Sequence, residues 1–418
     1  MIDGMQTTPC MQCARVETHS FLLNLTLYSG ICHSDINQWF NEINQGDKKT
    51  HFTDNPKYTF PIVPGHEIAG VVHSLGSEVD PDAEDLKVGD EVVAHPWISC
   101  GSCRFCDENE NSLCDQRHNG LGVGTPGGYA TYVWVREKKY LVKVPPSIPL
   151  EVACMLPCSG LTTYNAVTTL QPAIERMNKL KDAEDLKVGD EVVAHPWISC
   201  GSCRFCYENE NSLCDQRHNG LGVGTPGGHA VQQSLIPMRS HAKCYIKHLD
   251  LHNLVVDDYI KEFDSQEHTA AQEKNLKVAL ERGADGTVLW DRNLSEAEAI
   301  EITKKAGTDG GFDGVIDMVN SKITAERGFK STHRGSKMVL VGLYGGGATF
   351  ALPGFVHGLR TVQGVLVGRL AQLRELVALV AEEKLVPPPL TFYSLDDAFN
   401  AMCLVRDGKV QGRCVIKF

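Results

Sequence analysis

Cys100, Cys103, Cys106 and Cys114 follow one another as C-x2-C-x2-C-x7-C, four thiols within fifteen residues. Soft ligands this close let one loop wrap a tetrahedral zinc, and a closed set of four leaves no position for substrate. The spacing therefore predicts a structural zinc site. A second set, Cys200, Cys203, Cys206 and Cys214, repeats the pattern at an offset of 100. The repeat is wider than its cysteines. Asp182 to Gly228 matches Asp82 to Gly128 at every position but one, where Asp107 becomes Tyr207. Units of a solenoid usually drift apart in sequence, so near-identity over 47 residues reads as a recent copy. The copied thiols keep every ligand and could bind metal locally.

A different kind of site is suggested by Gly30 to Asp35 (GICHSD), Gly65 to Gly70 (GHEIAG) and Cys154 to Thr163 (CMLPCSGLTT). Cys32, His66 and Cys158 would bring two thiolates and one imidazole from three separated segments. Three protein ligands leave a fourth position open, as catalytic zinc requires. Cys154 and Cys158 alone could be two core thiols, but their combination with a closed four-thiol site in the same β-rich region favours the metal reading. Cys10 and Cys13 have the spacing of a half-site, but no second pair or βαβ pattern accompanies them, and they read as coincidence.

These residues need elements to hold them. From Phe21 to about Val144 the chain reads as short strands punctuated by Gly and Pro, including Ile68 to His73, Asp90 to Ala94 and Ala130 to Val135. That is barrel- or sandwich-style β organisation. From Glu151 the character changes. Helical stretches are expected at Leu161 to Leu170, Ala173 to Leu180, Lys274 to Arg282, Ser295 to Ala306 (with Ser295 as N-cap), Ala325 to Phe329, Leu370 to Glu383 and Leu395 to Arg406. Buried-type strands are expected at Gly286 to Trp290, Gly314 to Val319 and Lys337 to Gly342, with a last strand at Gly412 to Phe418. Alternation of this kind predicts a parallel sheet with helices on both faces. His229 to about Gln272 carries no clear pattern.

With GICHSD, GHEIAG, the four-thiol loop and the closing QGRCVIKF in this order, the chain resembles the zinc-dependent medium-chain alcohol dehydrogenases. The resemblance runs from about Leu27 to Leu180 and from about Glu273 to Phe418. It implies an α/β protein: a GroES-like β-barrel catalytic domain plus a Rossmann-type doubly wound parallel sheet domain. The expected division is 1–162 with 367–418 for catalysis, the structural-zinc lobe at 96–116, and 163–366 for cofactor, interrupted by 182–228. It implies catalytic zinc on Cys32, His66 and Cys158, with Glu67 able to replace a ligand, and structural zinc on Cys100, Cys103, Cys106 and Cys114. Asp35 would fix the tautomer of His66, and Ser34 would take the alcohol proton. NAD or NADP would meet His33 and Arg413 at its pyrophosphate, Thr162, Val341, Gly342 and Leu343 at its nicotinamide, and Val365, Leu366 and Val367 at the domain junction. The implied reaction is hydride transfer between an alcohol and the nicotinamide, giving an aldehyde or ketone. A dimer or tetramer is implied as well.

The chain departs from that pattern in four places. Many relatives carry His three residues after the serine, where this chain has Asn37. Met1 to Ser20 lacks the usual opening strands. Where a strand and GxGxxG loop should cradle the pyrophosphate, the copied segment stands instead. Gly122-x-Gly124-x-x-Gly127 and Gly222-x-Gly224-x-x-Gly227 match the letters, but each contains Pro and neither joins a buried strand to a helix, so both read as turns. No acidic residue closes a second strand, which leaves NAD and NADP undistinguished. A non-catalytic zinc-binding homologue, or a defective gene product with impaired cofactor binding, is the alternative these departures raise.

Composition sets the outer bounds. The 418 residues suffice for two or three domains, and a net charge of −12 argues against nucleic acid or an anionic membrane as partner. Phe21 to Leu27 is too short to span a membrane and lacks the flanks of a signal peptide. Sixteen cysteines, eight of them in metal-type clusters of a long chain, suit a reducing cytoplasm.

Overall fold

The computed structural model describes residues 22–45, 48–54, 60–76, 86–115, 120–178, 220–221, 224–225, 276–277, 280, 286–290, 293–307, 311–343, 345–382, 387–407, 409–410 and 412–418. Five strands of one sheet, β1 (Leu22–Gly30), β2 (Glu67–Leu75), β3 (Glu91–Ala94), β4 (Tyr132–Val135) and β5 (Leu141–Lys143), lie in the first part of the chain, together with a small hairpin of Ile43–Gln45 with Lys48–Thr50. A first helix, α1 (His33–Trp39), follows β1. After β5 come α2 (Leu161–Asn178), α3 (Glu296–Ala306), β6 (Phe312–Asp317), α4 (Lys322–Lys330), β7 (Thr332–Leu340), α5 (Leu352–Gly358), β8 (Thr361–Gly364) and α6 (Leu370–Glu382). The chain closes with β9 (Leu390–Tyr393), α7 (Ala398–Arg406) and β10 (Arg413–Lys417).

The first sheet is built around β1. It pairs with β2 along its length, with β4 at Leu22 to Leu25 and with β10 at Tyr28 to Gly30. Serving two partners on one edge bends the strand. Register shifts between Leu23 and Asn24 and between Thr26 and Tyr28 supply the bend. The order β9-β10-β1-β2-β3-β5, with β4 on β1, curls the sheet around a core of Ile68, Val72, Val92, Val133, Val135, Tyr140 and Val415. β10 lies between β9 and β1, so the last strand of the chain pairs with the end of the first described strand.

The second sheet is parallel, in the order β6-β7-β8. Side chains alternate between the faces of a strand. Val339, Ile316 and Val341 meet Ala166 and Leu170 of α2 on one face. Met338, Val315 and Leu340 meet Ala325 and Phe329 of α4 and Phe355 of α5 on the other. Both faces are thus covered by helices, the arrangement expected of a doubly wound sheet.

Several expected elements need correction. The helices expected at Leu161 to Leu170 and Ala173 to Leu180 are one helix, with Pro172 inside it. Proline removes one N–H and crowds the preceding turn, but Leu170 on the helix packs under the sheet with Ala166 and keeps the rod in place. Gly286 to Trp290 is described and is not a strand, since no described strand pairs with it. β7 begins at Thr332, five residues before the expected Lys337. Ser295 caps α3 as expected, in a reciprocal box with Glu298. α5 and β8 were not foreseen. The segment Lys274 to Arg282 is described only at Leu276, Lys277 and Leu280, each helical.

Candidate active site and metal centres

Three segments of different kinds deliver the three expected ligands. Cys32 is the N-cap of α1, held extended just past the end of β1. His66 immediately precedes β2, which pairs Gly30 with Glu67. Cys158 lies in a π-helical turn, Leu156–Gly160, that leads into α2; such turns recur at functional sites. The Cys32 and Cys158 sulfurs are 3.9 Å apart. The ligand atoms of Cys32, His66 and Cys158 all lie within 4.8 Å of one another. Zn–S bonds of about 2.3 Å at tetrahedral angles set sulfurs about 3.8 Å apart, so this donor set fits zinc. The hydrogen bond joining the sulfurs pulls Cys32 well below the usual thiol range and pushes Cys158 well above it. Cys154, the other thiol of its motif, is buried and donates to the Glu151 carbonyl (3.3 Å) instead.

Asp35 is the hub beneath this triad. It is fully buried on α1. Oδ2 accepts from Cys32 N (3.0 Å) and from the Tyr129 hydroxyl (3.1 Å), and Oδ1 accepts from Gly65 N (3.1 Å). His66 Nδ1 is 3.0 Å from Oδ1, an ion-pair distance whose ring N–H is not aligned on the oxygen. Nδ1 thus faces the carboxylate, which leaves Nε2 for a metal. Burial opposes charge on His66; Asp35 and Cys32 outweigh it and hold the imidazole well above its ordinary range.

Glu67 is also fully buried. Gly30 makes room for it: a Cβ there would lie 2.1 Å from Glu67 Oε2. Oε1 accepts from Ser159 N (3.2 Å), and Arg413 Nη2 is 2.5 Å from Oε2. Burial raises its pKa and Arg413 opposes the rise. Arg413, expected at the cofactor pyrophosphate, is therefore engaged beside the triad. Ser34 Oγ is 3.8 Å from Cys32 Sγ, within reach of a group bound at the triad. His33 and Asn37 lie half-buried on α1.

The remaining expected residues gather around α2. Thr162 is its second residue, four positions past Cys158. Val341 to Leu343 follow the carboxyl end of β7, and Val365 to Val367 that of β8. Ligands of open α/β sheets bind at such carboxyl ends. The 341–343 segment is braced from below: Val341 N donates to Asp317 O (2.9 Å) and Asn320 Nδ2 to Gly342 O (3.1 Å). A Cβ on Gly342 would strike Met318 O at 2.2 Å, so the chains cross without side chains. The place where a pyrophosphate loop would stand, taken in sequence by the copy, falls almost wholly outside the described residues.

The second cluster is the four-thiol lobe. Sulfur separations are 3.8 Å for Cys100 and Cys106, 3.5 Å for Cys103 and Cys106, and 4.0 Å for Cys103 and Cys114. Cys100 N donates to Cys114 Sγ and Gly101 N to Cys106 Sγ, each at 3.3 Å. The Ser102 amide and hydroxyl pull the Cys100 thiol down to about 6. This closed, thiolate-ready tetrahedron also fits zinc. Cys200, Cys203, Cys206 and Cys214 lie outside the described residues. Of the copy, Gly220–Leu221 pairs with Gly224–Thr225 in parallel, as Leu121 pairs with Thr125 in the original. Gly122 sits in a turn and Gly127 in the irregular stretch after it, and a Cβ on either would strike Gly65 O, at 2.4 and 2.1 Å. They clasp the loop that carries His66.

Sequence reasoning did not find Tyr129 and did not pair Arg413 with Glu67. Neither has a local motif, because each acts through a partner 94 or 346 residues away.

Comparisons with known proteins agree with this geometry. The model of the alcohol dehydrogenase GroES-like domain matches residues 23–146 and again 173–244, the second match spanning the copy. The zinc-binding dehydrogenase model matches residues 268–382. The NAD-dependent alcohol dehydrogenase of Sulfolobus acidocaldarius is 27% identical over 395 residues, 93% of this chain and 90% of that protein. An alcohol dehydrogenase of Geobacillus stearothermophilus is also 27% identical, over 93% of this chain and 89% of its own. The crystal structure of the Aeropyrum pernix alcohol dehydrogenase shares the fold, with a TM-score of 0.62 at 20% identity over 97% of this chain and 94% of that one.

Proposed function

Because the chain belongs to the zinc-dependent medium-chain alcohol dehydrogenase family, we propose that it oxidises an alcohol to an aldehyde or ketone, using NAD as its relatives' names state. The observation that carries this reading is the open three-ligand set of Cys32, His66 and Cys158 beside a closed four-thiol site. When bound, zinc supplies a Lewis acid that makes a substrate hydroxyl more acidic, and the nicotinamide supplies the hydride acceptor. The chain's own residues do the rest. Cys32, His66 and Cys158 hold the catalytic ion. Asp35 keeps the proton on Nδ1 of His66 and so keeps Nε2 a ligand. Ser34 accepts the substrate's hydroxyl proton at Oγ. Arg413 and Ser159 N hold Glu67 beside the triad without displacing a ligand. Thr162, Val341 to Leu343 and Val365 to Val367 orient the nicotinamide. His33 faces its phosphates.

The domain division follows the same reading: 1–162 with 367–418 form the catalytic part and 163–366 the cofactor part. No described helix is long and apolar enough to cross a membrane. Cytoplasmic residence and assembly as a dimer or tetramer complete the proposal. Titration of purified, zinc-loaded protein with NAD and with NADP, followed by fluorescence, tests cofactor binding. Alcohol-dependent nicotinamide reduction tests turnover. Saturable NAD binding with turnover is expected; binding without turnover, or neither, overturns the proposal in favour of a non-catalytic zinc-binding homologue.

A further inference from the structure

Tyr129 is a buried side chain for which the mechanism above has no role. Its ring covers the chain just before His66. A Cβ on Gly65, whose φ is +92°, would lie 2.5 Å from Tyr129 Cδ1. Its backbone N–H donates to Pro64 O (3.0 Å), and the neighbouring Gly127 and Gly128 donate to Val63 O and Gly65 O (2.8 and 2.7 Å). Its hydroxyl donates to Asp35 Oδ2. One residue thus touches both members of the Asp35–His66 pair: the loop of one and the carboxylate of the other.

A carboxylate with several donors is fixed in rotation about its own bond. Cys32 N and Gly65 N come from the backbone segments that flank the ligands, so they move with the ligands. Tyr129 comes from neither segment and anchors the carboxylate from outside. We propose that Tyr129 is a positioning residue for the zinc-binding histidine: its hydroxyl fixes the Asp35 carboxylate while its ring closes on Gly65, together setting the His66 imidazole. This rests on the zinc-site reading given above. It also separates the two copies. Both end in Gly-Thr-Pro-Gly-Gly, after which the original carries Tyr129 and the copy His229.

The test uses Tyr129→Phe, which keeps the ring and removes the hydroxyl. Zinc held by the full chain but not by His66→Ala identifies the catalytic ion, and its affinity is read by competition with a chelator. Tyr129→Phe is expected to weaken that ion about tenfold, the low end of what partners behind a ligand contribute, and to leave the other zinc unchanged. In an Asp35→Asn background Tyr129→Phe is expected to add nothing, because the two act in series. Melting of zinc-loaded and zinc-stripped protein is a second readout: the loss in Tm should be larger with zinc. Affinity within twofold of the unmutated chain, full additivity with Asp35→Asn, or equal Tm loss in both states overturns the role. If the unmutated chain holds no zinc that His66→Ala loses, the zinc-site reading fails first and takes this proposal with it.

Discussion

At the scale of single residues, the site works by what each buried charge has beside it. Glu67 has no exposed surface, and Arg413 is its ion-pair partner, with His66 the other positive group near it. Removing one partner of such a pair strands the other. Arg413→Ala is therefore expected to cost about 3 kcal/mol in urea denaturation near neutral pH. The pH dependence follows from the sign of the shift. Burial raises the folded-state pKa of Glu67, so its protonated form favours the fold, and stability is lost as pH rises through that value. Without the guanidinium the rise is larger, so the variant's deficit should grow as pH rises above the ordinary carboxylate range. A deficit that shrinks with pH would show that Arg413 does not neutralise Glu67. Asn37 poses the opposite question, a residue too inert for its place. It sits three positions past Ser34 on α1 and cannot pass on a proton as an acid or base. Asn37→His is expected to raise turnover on the acid side of the pH–rate profile and to leave zinc content unchanged. An unaltered profile would mean that the proton leaves by another way.

At the scale of elements, much was legible because local pattern and tertiary role agree. The alternation at Ile68 to His73 became β2, and Ser295 with Glu298 became the cap of α3. The cluster of Cys32, His66 and Cys158 was legible because each residue stands in its own motif. What failed to show depends on partners. Gly286 to Trp290 has the composition of a buried strand but no described neighbour to pair with. β8 was missed since its residues are largely exposed and give no apolar run. A buried histidine is another case. His95, at the end of β3, is fully buried, with Nε2 3.3 Å from Gly368 O just before α6 and its ring stacked over Tyr140. Burial drives its pKa down to about 4. The unfolded chain, near 6.5, then binds more protons in between, so this stability is complete above pH 6.5 and drains away as pH falls to about 4. Two and a half pKa units correspond to roughly 3 kcal/mol as an upper figure. His95→Gln keeps an amide donor for Gly368 and has nothing to protonate. Its unfolding free energy is expected to fall less steeply across that window, by about one proton. Parallel slopes for the two proteins would contradict a neutral buried His95.

At the scale of the whole molecule, two nearly identical four-thiol stretches belong to one chain, and the question is which of them the described barrel supports. A lobe needs more than its thiols. Tyr140 donates to Ser99 O (3.1 Å) and accepts from Ser99 N (3.0 Å), and Asn111 ties the far side of the loop to the Ser99 hydroxyl (2.9 Å). Arg369, just before α6, reaches Glu110 (3.4 Å), and Arg374 on α6 reaches Lys139 O (3.0 Å). Ser99, Asn111 and Glu110 are inside the duplicated stretch, but Tyr140, Arg369 and Arg374 are not. At the offset of 100, the place of Tyr140 is taken by Ser240 and that of Tyr129 by His229. The copy therefore brings the ligands and leaves behind the residues that dock them. A four-thiolate loop without a supporting surface must fund its own ordering from metal binding, and under chelator competition it should yield its ion first. Metal analysis after mild chelation is expected to find two zincs per chain. Cys103→Ser should lower that number by one, and Cys203→Ser should leave it unchanged. Three retained zincs, or an equal loss from the two substitutions, would show that the copied thiols hold metal as firmly as the originals.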